Sequence, residues 1–406
     1  MQTTLETLDS SLVAEMTPEP PGFSLVSGGP LFQLFRRSHL SGDALELPFR
    51  RVLAIALLVW LPLLFLSVLQ RHAIGGSIKI PFLHDVEANV RFLVALPVLI
   101  FAELLVQQRI SPLVRRLVER GVVVTKDSPK LNAAVISAIR ARDSIAVEGT
   151  LLVLVYALGL WAWRSQIALG EPTWYATPAG KQLNLTLAGY WYVFVSIPVF
   201  QFILLRWYVR LTIWFRLLWQ ISRLNLHLSA AHPDRSGGIG FIGKSSYAFA
   251  PLVFAQGVVL SGLIASRVLY EGQALVSFKM EAAGFVVFFV SVILGPLVMF
   301  TPQLSRAQRK GSSQYSLLAS TNVFLFEDKW IQGCNPAPGK LLAADIQAIA
   351  ALENVCSSVR QMRVIPFGTD DITRLAVTAA APLLPLALTI FSVPQLLKFL
   401  VKIVFK

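Results

Sequence analysis

The stretch from His227 to Phe241, "HLSAAHPDRSGGIGF", gathers residue types that handle anions and protons. Pro233 disfavours helix at His232, while Gly237, Gly238 and Gly240 permit positive φ or close backbone approach. Successive backbone N–H groups in such a turn form a nest for an anion, and Arg235 adds a planar fork for phosphate or carboxylate. His232 and Asp234 complete a pair suited to proton handling. These six residues are candidate binders of an anion or lipid headgroup. In the competing reading Asp234 pairs with an arginine and the glycines only turn the chain.

A second set lies inside apolar runs. Glu103 is a carboxylate where hydrocarbon is expected, so it should face the bundle interior, pair with a base, or stay protonated. Gln201 and Gln256 are suited either to bonds between helices or to contact with a solute. Glu148 is placed to meet an arginine at the membrane edge, and Arg267 and Glu271, four apart, to pair across one helical turn. His72, His84, Asp85 and Glu87 share one short connection but lack a metal-ligand spacing, and Glu327 with Asp328 in "FEDKW" is too little for a cation. Asp370 and Asp371 are placed to cap or salt-bridge the approach to the last apolar run. No phosphate-binding "GxxxxGK[ST]", zinc-binding "HExxH" or nucleophilic "GxSxG" occurs, and Cys334 and Cys356 form no metal or disulfide framework. Neither metal nor cofactor is expected.

The elements that must position these residues are membrane helices. A chain of 406 residues that is 55% hydrophobic and 15% charged departs far from soluble composition. Apolar runs near the length needed to cross a bilayer fall at about 52–70, 92–109, 149–168, 187–207, 247–269, 282–302 and 375–396. The last carries Pro382, Pro385 and Pro394, which kink it or make it re-entrant, so six to seven spans are expected. Of the 36 Lys and Arg residues, alternate hydrophilic segments hold 26 and 10. That bias places the N-terminal segment 1–50 and the connections 110–148, 208–246 and 303–374 in the cytoplasm. The chain start shows no cleavable signal pattern, and the tail 375–406 leaves Lys398, Lys402 and Lys406 outside if the seventh run crosses fully.

Within these connections, Ser128 as N-cap and Pro129 start a helix leading to the third run. The fourth run extends as a helix to about His227, with Arg206, Arg210, Arg216 and Arg223 on one side. Leu342, Ile346, Ile349, Leu352, Val355, Val359 and Met362 recur at helical spacing and stop before Pro366. The fold expected is all-α: a polytopic transmembrane bundle, residues 51–302 supplying six helices, with a small helical cytosolic cap. No internal repeat and no strand-rich domain is visible.

The combination of "LNLHLSAAHPDRSGGIGF", "FLFEDKW" and "VRQMRVIPFG" resembles a family of uncharacterised bacterial multipass membrane proteins, from about residue 50 onward. The resemblance implies a bacterial inner membrane and carries over no reaction or binding residue. The net charge of +13 is spread over loops, which fits anionic lipid on the cytosolic side rather than nucleic acid. The functional expectations are a transporter, channel or accessory subunit using Glu103, Gln201 and Gln256; a sensor, scaffold or assembly factor contacting a protein partner or a second copy; or a lipid-headgroup or phosphate-handling enzyme built on the turn.

Overall fold

A computed structural model of the chain describes residues 23–30, 33, 48–75, 78, 80–166, 173–179, 182–328 and 341–389. Cys334, Lys329, Trp330, Pro394 and the three tail lysines lie outside the described residues. About 80% is helical. A backbone in hydrocarbon must satisfy its polar groups internally, and the long apolar runs meet that demand as helices. In chain order these are α1 (Pro48–Leu69), α2 (Val86–Glu119), α3 (Ser128–Arg142), α4 (Ile145–Gln166), α5 (Leu187–Ile221), α6 (Gly240–Tyr270), α7 (Lys279–Leu294), α8 (Thr301–Glu327), α9 (Leu341–Arg360) and α10 (Thr369–Ala380). Five segments are long and apolar enough to cross a membrane: α1 from Phe49, α2, α5, α6 and the continuous run Leu275–Glu327. Leu53, Phe65, Val153, Val287 and Phe288 are exposed on the bundle exterior, as lipid contact requires.

The bundle has two unlike ends. At the aromatic end a small antiparallel hairpin, β1 (Ala176–Ala179) and β2 (Gln182–Leu185), stands against the start of α5. Trp174, fully buried, packs on Phe82 and Tyr192 with ring centroids 4.8 and 5.0 Å apart, and its Nε1 donates to Asp85 Oδ2 at 2.8 Å. At the basic end lie α3, the turn after α5, the start of α8 and the turn before α10. α10 runs parallel to α6 from the basic toward the aromatic end. Gly243 lies against the Pro366 carbonyl, a Cβ on Gly257 would sit 2.7 Å from the Ala379 carbonyl, and Leu386 joins Ile264 and Ala265. The missing side chains of those two glycines are what lets the helices approach. Beyond α10 the chain tightens to a 3-10 helix, Ala381–Thr389, as its prolines demand.

The structure corrects the expectation that the chain has no repeat. Asp85 caps α2 by accepting Ala88 N–H, and 101 residues later Thr186 caps α5 by accepting Gly189 N–H. Each cap is followed by one short α stretch, a π turn (Arg91–Ala95; Tyr192–Ser196) and then a long α stretch opening Leu96-Pro97-Val98 or Ile197-Pro198-Val199. Val94, Pro97, Val98, Phe101, Leu104 and Arg109 recur as Val195, Pro198, Val199, Phe202, Leu205 and Arg210. A proline inside a helix lacks its N–H and crowds the carbonyl four residues earlier, so the turn before it widens. Phe194 is that residue for Pro198, and its carbonyl accepts from Tyr156 OH at 3.4 Å. The two copies touch at equivalent positions, Arg91 Nη1 donating to Tyr192 OH at 3.1 Å.

Two element boundaries also differ from expectation. α3 begins at Ser128 itself, one residue before the expected start, while Asp127 is buried beneath it and accepts from Lys130 Nζ and Asn225 N–H. α5 stops at Ile221 rather than His227, because the strand-like bridge of Leu226 to Val123 and the bond from His227 N–H to the Val122 carbonyl take the chain out of helix. The stripe on α9 packs against α8, where Cys356 Sγ lies 3.6 Å from the Tyr315 carbonyl.

Candidate functional site

Glu103 sits on α2 about two turns past Pro97, buried to 7% exposure. Three guanidinium groups converge on it. Arg51, from the first turn of α1, donates through Nη2 to Oε2; Arg210 Nη1 on α5 donates to Oε1 at 2.8 Å; Arg206 Nη1, one turn earlier, stands 3.7 Å from the same oxygen. Arg206 Nη2 also lies 3.3 Å from Glu148 Oε1 at the start of α4. Four apolar helices thus contribute five ionisable side chains to one point. Such burial is costly unless the charges are compensated; here every guanidinium contacts a carboxylate, with one positive charge in excess. The expectation that Arg206, Arg210, Arg216 and Arg223 share one side of a single extended helix is corrected. Arg206 and Arg210 turn inward, whereas Arg216 and Arg223 are exposed, because the acids that compensate buried charge lie only on the inner face.

Supporting contacts fix the arginines. The Arg210 guanidinium lies 4.9 Å from the Trp207 ring, and Trp207 Nε1 donates to the Leu99 carbonyl at 3.0 Å, tying α5 to α2. A small cleft adjoins the cluster, lined by Ile55, Ile100 and Ile203 together with the arginines and Glu103, with room for about one water molecule. The three isoleucines lie beyond the charges toward the aromatic end. On the opposite side sits the segment Phe23–Pro30, with Phe23, Leu25 and Val26 at 2, 1 and 1% exposure. Arg206 Nη2 donates to the Gly28 carbonyl at 3.2 Å, so one guanidinium touches Glu103, Glu148 and this segment.

The turn after α5 has a different economy of bonds. Asp234 Oδ1 accepts Ser236 and Gly238 N–H at 2.9 and 3.0 Å, Oδ2 accepts Gly240 N–H at 2.9 Å, and His232 Nδ1 lies 2.8 Å from Oδ1. The backbone donors that a bound anion would use are taken by the protein's own carboxylate. Burial opposes ionisation of Asp234, but the bonds from Ser236, Gly240 and Gly238 and the nearby His232 outweigh it and hold the pKa below the usual carboxylate range. Gly237 has φ +66° and is packed by Leu304, Met362 and Leu228; Gly238 has φ +95° beside His232. Arg235, itself at φ +54°, keeps an exposed side chain while its carbonyl accepts Arg363 N–H at 2.7 Å.

Other sequence candidates separate. Gln256 Nε2 donates to Tyr208 OH at 2.7 Å, between α6 and α5. Gln201, on α5 about one turn from Arg206, has its buried Oε1 without a hydrogen bond among the described residues. Arg267 stacks on Phe278 at 6.0 Å and Glu271 accepts from Gln273, so the expected pair across one turn does not form among the described contacts. Asp371 caps α10 by accepting Gly368 N–H at 2.9 Å. Among the described residues no group of three or more His, Cys, Asp or Glu is placed to hold a metal ion. Sequence reading singled out Glu103 and Glu148 but missed Arg51 as a member of the cluster. Its signal was an arginine at the very start of an apolar run, indistinguishable there from ordinary membrane-flanking charge.

Comparison of the chain with family models, with curated proteins and with solved structures finds no match.

Proposed function

We propose that this is an integral membrane protein of the transporter, channel or accessory-subunit class, in which the cluster of Arg51, Glu103, Glu148, Arg206 and Arg210 is the ion-handling centre. The observation that carries the reading is the meeting of five ionisable side chains from four apolar helices beside a cleft. Buried charge in a membrane helix marks solute and proton routes, and here Glu103 on one copy of the repeat meets Arg206 and Arg210 on the other, with Arg51 and Glu148 added from α1 and α4. Gln201 does not line the cleft, but its buried Oε1, without a hydrogen bond among the described residues, is a further intramembrane polar group available to water or solute. The parallel course of α6 and α10, and α4 rising from the cluster to meet Phe194, favour seven crossings with the basic end in the cytoplasm. A bacterial inner membrane is the location that fits the sequence resemblance.

The test is flux of small inorganic ions and protons into sealed vesicles containing the purified protein. E103Q, Q201A and Q256A are compared with the unaltered chain at equal incorporation. Loss of a measurable flux in E103Q supports the reading; a flux unchanged in all three removes the cluster from it.

A second reading, a scaffold or assembly factor, is favoured by one feature. The hairpin of α8 and α9 extends past the basic end with Leu317, Phe324 and Leu325 at 71, 68 and 62% exposure. Mild crosslinking in the native membrane tests it, and a stoichiometric partner lost on L317E/F324E supports it. A headgroup-handling enzyme at the turn finds less support, since Asp234 already occupies the nest.

A further inference from the structure

We infer that residues 23–30 are a displaceable seal over the basic end of the charge cluster, so that the cleft beside Glu103 opens toward that end when the segment withdraws. The inference rests on the transport reading for its purpose, though not for its geometry. The segment "FSLVSGGP" has no ladder of its own; apart from the opening of a helix at Pro30 it is a run of bends. It is held by three kinds of contact. Phe23, Leu25 and Val26 insert into the core, and Ser24 Oγ donates to Gln107 Oε1 on α2. Arg142, the last residue of α3, donates through Nη1 to the Ser24 carbonyl. Arg206 donates to the Gly28 carbonyl from within the cluster itself.

The two glycines make this approach sterically feasible. Gly28 (φ +156°) lies flat against the Arg142 guanidinium and the Asp143 carboxylate. A Cβ on Gly29 (φ +88°) would sit 3.0 Å from Glu148 Oε1 and 3.4 Å from Arg206 Nη2. A side chain there would occupy the space of the groups that bind the segment. A coil so attached gains from burying three apolar side chains but loses the entropy of ordering its whole length. Such segments open at lower free energy than the helices they touch. Withdrawal also removes the Gly28 carbonyl from Arg206, leaving that guanidinium an N–H directed away from Glu103. The seal and the charge centre therefore share one residue.

Thiol accessibility tests this in the full chain, reconstituted in lipid vesicles on a C334S/C356S background. Single cysteines are placed at Val26 in the seal, at Ile203 in the cleft, and at Leu99, a fully buried core position serving as the control for general loosening. The probe is a membrane-impermeant maleimide added on the basic side. V26C is expected to react at least about tenfold faster than L99C. G28A and R142Q, which alter the anchor and leave the five cluster residues in place, are each expected to raise the rate at I203C about tenfold without moving L99C. V26C as slow as L99C overturns the inference, as does an I203C rate unmoved by G28A and R142Q. A rise shared equally by L99C also overturns it, because the bundle rather than the seal has then loosened. If the thiols respond as expected and no ion crosses the vesicle membrane, the transport reading fails and the seal stands.

Discussion

Glu103 shows how a single carboxylate organises a membrane interior. Removing it leaves Arg51, Arg206 and Arg210 facing one another in a low-dielectric site. E103Q should therefore cost about 3–5 kcal/mol of stability, read from thermal unfolding in lipid nanodiscs. The double variant R51Q/E103Q should be less destabilised than the sum of its singles, since the second change removes a charge that the first left uncompensated. Asp234 provides a contrasting case with a pH signature. Its pKa is depressed in the folded state, so its contribution is fully present above the ordinary carboxylate value and is lost as pH falls through the lower folded value. Protection factors at Ser236, Gly238 and Gly240, taken against the intrinsic exchange rate at each pH, should fall as pH drops through that lowered folded value. In D234N they should be lower at neutral pH as well, most of all at Gly240, whose acceptor becomes an NH2 group. Protection factors that do not change with pH would contradict this account of the turn. The residues of "HPDRSGG" were legible in the sequence as a glycine-shaped nest; that Asp234 fills it was not. Asx-type bonding and anion binding draw on the same donors, and a sequence does not show which acceptor arrives.

Among elements, boundaries set by local chemistry were readable and those set by tertiary contact were not. α9 ended before Pro366 as its proline requires. α5 ended six residues early because of a bridge to a strand-like segment more than a hundred residues away. The repeat of α2 and α5 escaped notice for a related reason. Its identities are mostly apolar residues, common in any membrane helix, and what makes the match specific is the shared sequence of cap, π turn and proline. Small residues set the spacing between elements, and Gly243 is the tightest case. G243A places a methyl group onto the Pro366 carbonyl, so α6 and the turn before α10 must part. A loss of about 1–3 kcal/mol is expected, with the Phe367 region first to become accessible to protease. G284A, where no atom lies near a Cβ, is the matched control and should be neutral or slightly stabilising.

For the whole molecule, composition alone gave the class of fold, because a chain this apolar has few alternatives to a helix bundle. The pairing of charges across spans was beyond it, since periodicity reports which face of a helix is apolar and not which helix lies opposite. On the proposed path of seven alternating crossings, the segment 23–30 and the α8–α9 hairpin would lie on one side and the β1–β2 hairpin on the other. Cysteines at Ser312 and Asn184, probed with an impermeant maleimide in right-side-out and inverted vesicles, should show opposite protection. Equal protection would reduce the count or change the path. The repeat has a further consequence, for the order in which the molecule acquired its parts. Glu103 has Leu204 as its counterpart, and Arg206 has Leu105; Arg210 has Arg109, which instead stacks on Tyr247 at 5.3 Å. The charge centre therefore breaks the symmetry of the scaffold that holds it. If α2 and α5 descend from one helix, that ancestor supplied the cap, the π turn and the proline, and the complementarity between carboxylate and guanidinium arose as its copies diverged.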